Sequence, residues 1–193
     1  MSNILAVTAE LKRCSIACKF NGQVFEINKN LDASTYLVKL AQDFCEDHKI
    51  DLTKIDRIIT ASGPGSFTGI RAAQSFVKGL SLALKIPAGC ASYFQVIKDM
   101  FGQEKDFVAV IKSAKNQAYF YNFSTNDYGV CPYNQLPTDL PLVGDRIDEV
   151  LPKITRGFFE IKDFKDAANL LELIEFDSKV APLYINARSR QFN

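Results

Sequence analysis

The chain has 193 residues, 47% hydrophobic and 23% charged, with 23 Lys plus Arg against 22 Asp plus Glu and a formal net charge of +1. This composition suits one large globular domain or two small ones, and it lacks the diffuse positive field of a self-sufficient nucleic-acid binder. No run approaches the roughly 20 apolar residues that a bilayer requires, and the opening lacks the marks of a signal peptide, so a cytoplasmic location without membrane attachment is expected.

The first third predicts strands followed by a helix. Asn3 to Thr8 is an apolar run, and Arg13 to Phe20 alternates with Cys14, Ile16, Cys18 and Phe20 on one side. Asn21-Gly22 favours a tight hairpin into a strand carrying Val24, Phe25 and Ile27. A helix capped by Asp32 or Ser34 follows, with Leu37, Leu40, Ala41, Phe44, Cys45 and His48 in one stripe. Arg57 to Ala61 is a buried-type strand, Ser62-Gly63-Pro64-Gly65 a sharp turn, and Ser66 to Leu84 a long helix. A short strand at Pro87 to Cys90 and a helix opening near Ser92 close this half.

Strand patterns return at Phe107 to Lys112 and at Ala118 to Ser124. A looser stretch punctuated by Pro132, Pro137, Pro141 and Pro152 then leads to a last amphipathic helix bearing Phe164, Ala167, Leu171 and Ile174. The composition shift at Gln103 to Asp106 divides the chain into residues 1–104 and 105–193, with a tail that could return to the first half.

Cysteine and histidine usage narrows the chemistry. Cys14, Cys18, Cys45, Cys90 and Cys131 form no Cys-x-x-Cys pair and leave an odd thiol, so they read as core residues. His48 is the only histidine and ends an apolar stripe, which excludes metal sites built on paired histidines. No metal site and no catalytic constellation are expected.

One motif carries chemistry: Gly63-Pro64-Gly65-Ser66-Phe67-Thr68-Gly69-Ile70-Arg71 leaves a strand and opens a helix. Its glycines and proline permit a tight reversal, and Ser66 and Thr68 can cap the helix. Such a turn can hold an anion on the first helical amides, or it can simply join strand to helix. The two readings stay open on spacing alone, and no Gly-Lys-Ser/Thr of a Walker loop follows. Along the helix, Thr68, Ala72, Ser75, Gly79 and Ala83 line one face with small side chains, whereas Ile70, Ala73, Val77, Leu80 and Leu84 line another. The small face could meet a neighbour in the same chain or a helix of a second protein.

The GPGSFTGIR motif closely resembles the TsaB (YeaZ) family of bacterial proteins that support threonylcarbamoylation of tRNA. Ile4-Leu5-Ala6-Val7, Cys14-Ser15-Ile16-Ala17, the helix from Ser34 and Pro182-Leu183-Tyr184 are similar too. The resemblance spans roughly the first hundred residues and thins afterwards. It implies an actin-like ATPase (ASKHA, ribonuclease H-like) α/β fold of two related halves, each a mixed sheet with helices. It also implies a non-catalytic role beside a larger paralogue, TsaD, which holds the metal and active site, with TsaE as an ATPase of the same complex. That complex transfers threonylcarbamoyl to the adenosine beside the anticodon of tRNAs reading codons that begin with A. The helix opened by the motif would serve self-pairing and TsaD binding, giving a homodimer in isolation and only indirect contact with tRNA. No cofactor is expected on this chain alone, with ATP or ADP only at an interface in the complex.

Departures bear on that reading. Where members of the family have Asp-Thr-Ser, this chain has Thr8-Ala9-Glu10, so the acid is displaced by two positions. Ala33-Ser34-Thr35 replaces His-Ser-Glu, and Lys112-Ser113-Ala114 with Gln117-Ala118-Tyr119 keeps mainly the tyrosine. Loss of carboxylates removes ligands for a hard cation. Two other readings remain: an actin-like nucleotide-binding phosphotransferase or peptidase-like enzyme using Gly63 to Thr68, and a tRNA binder using Arg188 and Arg190 beside Lys179.

Overall fold

The structure, a computed structural model, describes residues 2–10, 12–102, 106–113, 116–137, 139–144, 158–173 and 177–185. It divides into two compact units, Met1–Tyr93 with Lys165–Leu183 and Phe94–Phe164 with Tyr184–Asn193.

In the first unit, β1 (Ile4–Glu10), β2 (Arg13–Phe20) and β3 (Gln23–Lys29) form an antiparallel meander. Asn21 and Gly22 turn β2 into β3 with positive φ of 51° and 82°, as their dipeptide demands. β4 (Arg57–Gly63) runs parallel to β1, and β5 (Ala88–Ser92) parallel to β4, giving the order β3-β2-β1-β4-β5. Helices α1 (Ala33–Asp47) and α2 (Phe67–Leu84) make the connections. The Asp32 carboxylate accepts the Thr35 N–H at the head of α1, and His48 ends that helix with its ring against Phe25 and Phe44.

Strand alternation assigns the two faces of this sheet. Leu5, Val7, Cys14, Ile16 and Cys18 pack in one cluster with Leu37 and Phe44 of α1 and with Ala73 and Val77 of α2. The opposite face of β1, bearing Ala6 and Thr8, receives the returning segment, whose short helix α4 (Ala168–Leu171) packs on β1, β2 and β4. Here the expected amphipathic helix is only four residues long. Phe164 and Ala167 are buried before it begins, and Ile174 lies outside the described residues.

The second unit repeats the strand plan. Helix α3 (Tyr93–Phe101) enters it, and β6 (Val108–Lys112), β7 (Gln117–Asn122) and β8 (Tyr128–Pro132) form an antiparallel meander. β9 (Leu142–Gly144) lies parallel to β6 and β10 (Phe158–Glu160) parallel to β9, in the order β10-β9-β6-β7-β8. Two α/β halves with the same mixed-sheet order form the ribonuclease H-like, actin-like fold expected. The proline-rich stretch proves to contain β8 and β9. Of its prolines, Pro132 ends β8, Pro141 precedes β9, and Pro152 lies outside the described residues.

Candidate functional site

The motif sits where β4 ends and α2 begins. Gly63, buried with φ of +100°, turns the chain, and a Cβ there would meet Ile70 Cδ1 at 2.8 Å. The Gly63–Pro64 peptide is cis. Ser66 caps α2, its side chain accepting the Gly69 N–H at 3.2 Å. The other two glycines are set by β1. A Cβ on Gly65 would lie 2.5 Å from Glu10 Oε1, and one on Gly69 would lie 2.5–2.7 Å from backbone atoms of Ala9 and Glu10. The first turn of α2 therefore rests directly on the end of β1, an approach that only glycine permits.

The turn already holds a carboxylate. Glu10 Oε2 accepts the Ser66 N–H at 2.9 Å, and Lys165 Nζ lies 3.4 Å from Glu10 Oε1. Around this pair the returning segment is stitched to the sheet. The Thr8 hydroxyl donates to the Lys165 carbonyl at 2.6 Å, Arg13 pairs with the largely buried Asp166 at 2.6 Å, and the Ala167 N–H donates to Ser15 Oγ at 2.7 Å. Further along, Cys90 and Asp177 exchange two backbone hydrogen bonds at 2.8 Å, and the Leu183 N–H donates to the Ser62 carbonyl at 2.7 Å. Tyr93 is fully buried beside this cluster; burial, and then the negative charge of Glu10, hold its phenol well above the ordinary tyrosine range.

The outer face of α2 is open. Thr68, Ser75, Gly79 and Ala83 are exposed, Ala72 is half-buried, and a Cβ on Gly79 would meet nothing within 4 Å. Ile70, Ala73 and Val77 are buried, so the two faces separate as the periodicity predicts. Large apolar side chains stand beside the small ones: Phe67 is 57% exposed with the Arg71 guanidinium 3.7 Å from its ring centre, and Leu82 is 79% exposed. A mainly apolar cavity of about 580 Å³ opens between α1 and α2, lined among others by Val38, Ala41, Cys45, Phe76 and Leu80.

Of the residues read from the sequence, the motif comes together at one turn and the small-residue face lies on one exposed stripe. Arg188, Arg190 and Ala114 lie outside the described residues. Glu10, Lys165, Thr8 and Asp166 were not legible as one cluster, because they are separated by more than 150 positions and no local pattern joins them. Among the described residues no group of three or more His, Cys, Asp or Glu could hold a metal ion, and no helix is long and apolar enough to cross a membrane. Cys14, Cys18, Cys45 and Cys90 are buried with thiols pushed above their ordinary range, chiefly by burial, Cys18 to about 12. Protonated thiols of this kind are poor nucleophiles.

Residues 31–132 match the family model of TsaD, tRNA N6-adenosine threonylcarbamoyltransferase. The chain is 24% identical over 163 residues to the tRNA threonylcarbamoyladenosine biosynthesis protein TsaB of Buchnera aphidicola subsp. Acyrthosiphon pisum, covering 80% of this chain and 74% of that one. It is 23% identical over 220 residues to the protein of the same name from Buchnera aphidicola subsp. Baizongia pistaciae, covering 97% and 100%. YeaZ from Pseudomonas aeruginosa shares the fold, with a TM-score of 0.75 at 21% identity over 96% of this chain and 100% of that one. With more than half its length inside the TsaD domain family and TsaB proteins as its relatives along nearly the whole chain, the protein belongs to the TsaB (YeaZ) family.

Proposed function

We propose that the chain serves the biosynthesis of threonylcarbamoyladenosine in tRNA as a non-catalytic partner of a TsaD-type subunit, docking through the outer face of α2. Its relatives carry the biosynthetic role in their names. The observation that supports the docking role is the open stripe of Thr68, Ser75, Gly79 and Ala83 flanked by exposed Phe67 and Leu82. Small side chains let a second helix backbone approach closely, and exposed large apolar groups gain by leaving water. The same stripe would pair two copies of the chain when the partner is absent. A TsaE-type ATPase would join through the complex, tRNA would be met through the partner's surface, and any ATP or ADP would lie at an interface in the complex. Such a role places the chain in the cytoplasm.

The test is co-elution with the TsaD of the same organism. Wild type should form a complex, and Ala72→Arg and Gly79→Arg should abolish it while the variants keep the wild-type circular dichroism spectrum. A folded wild type that fails to co-elute would reject the partner reading. Retained pairing in both variants would reject this face as the surface.

A further inference from the structure

The turn of the motif has every feature of an anion site except a vacancy. Glu10 accepts the Ser66 amide, approaches Gly65 so closely that no side chain could stand there, and carries its counter-ion, Lys165, beside it. We propose that Glu10 is a resident anion: a tethered carboxylate that occupies the place a phosphate would take on the turn and so keeps the turn closed to phosphates and nucleotides.

The physics favours the tethered group. A carboxylate held by the chain competes at an effective concentration that millimolar free anions do not match. A phosphate arriving at Ser66 would also have to approach the negative charge of Glu10, which repels it, while Lys165 is already paired. The amide of a helix N-terminus and a lysine are the donors that phosphate oxygens ordinarily take, and here both face Glu10. Glu10 also joins the motif to the returning segment, so the closed turn is part of how the first unit holds together. The inference does not rest on the docking reading, because the turn's contents and the outer face of α2 are tested by different probes.

The test uses the full chain labelled with nitrogen-15, inorganic phosphate as the probe, and the backbone amide signals of Ser66 to Gly69 as the readout. Wild type should show no saturable phosphate shift at these amides. Glu10→Ala should bind phosphate there at least about tenfold more tightly than wild type, the size of one charge-assisted contact. Adding Lys165→Met should remove most of that gain. Saturable binding by wild type as tight as by Glu10→Ala, or a folded Glu10→Ala without response, would overturn the proposal. Should Glu10→Ala fail to fold, Glu10→Gln keeps an acceptor in place but removes the charge. Hydrogen exchange at the Ser66 amide should then rise about tenfold, and unchanged exchange would overturn the assignment.

Discussion

The two halves share one strand plan and differ in what covers it. In the first, α1 and α2 lie over the sheet β3-β2-β1-β4-β5, and Leu37, Phe44, Ala73 and Val77 fill the cluster between them. In the second, a single short 3₁₀ turn, Tyr133–Gln135, stands among the described residues between β8 and β9, where α1 stands in the first half. Its cluster is correspondingly small: Val108, Val110, Ala118, Phe120, Cys131, Leu136 and Leu142, with Tyr133 and Leu140 beside it. Sheet order and helix layer are therefore separable features of this fold. Strand pairing preserves the order in both halves, whereas the helix layer with an open outer face belongs to the first.

The largest expected effect tests the core of the first half. Phe44→Ala should cost about 3–5 kcal/mol in urea unfolding, because a fully enclosed ring leaves a cavity that α1 and β2 cannot close. A loss below about 1 kcal/mol would mean that the helix layer is packed no better than a surface.

Two glycines compare the halves directly. In Gly69→Ala the new methyl would meet backbone atoms of Ala9 and Glu10 at 2.5–2.7 Å, and a cost of about 2–3 kcal/mol is expected. At Gly129 on β8 the neighbour is the Phe120 ring edge at 3.2 Å, which can yield, so Gly129→Ala should cost about 1 kcal/mol or less. Equal losses in equilibrium unfolding would show that the close approach of α2 to β1 is not what selects glycine.

Thiol ionisation gives a pH prediction. Burial holds the Cys18 thiol at about 12 against an ordinary value near 9, with Cys45 adding to the rise. The unfolded chain releases that proton first, so the stabilisation is complete below about pH 9 and is lost as the pH climbs from 9 towards 12. Unfolding midpoints should fall across that window in wild type and fall less in Cys18→Ala, whatever that variant's absolute stability. The smallest effect is a gain. Gly79→Ala meets open space inside a helix and should stabilise by about 0.5–1 kcal/mol, in contrast to the pairing loss expected of Gly79→Arg.

Legibility in the sequence followed the range of the signal. The β2–β3 hairpin, α1 with its Asp32 cap and the two faces of α2 arise from patterns within a few residues, and each formed where its pattern placed it. β8, β9 and β10 were hidden because three- and five-residue strands are too short for alternation to register, and prolines at Pro132 and Pro141 read as punctuation. The last helix was overestimated because Phe164 and Ala167 are apolar for packing reasons and precede the helical turn. In the motif the glycines were legible as a turn, but the spacing could not show that Gly65 and Gly69 answer to Glu10, since that contact spans more than 50 residues.

The return of Lys165–Leu183 to the first sheet has a consequence for biogenesis. Thr8, Arg13 and Ser15 reach their partners only across an interval of more than 150 residues. At ordinary translation rates of about 5–20 residues per second, the ribosome needs on the order of ten seconds to deliver them. Through that interval one face of β1 waits uncovered, a seam that chaperones must shelter and that release of the finished polypeptide finally closes.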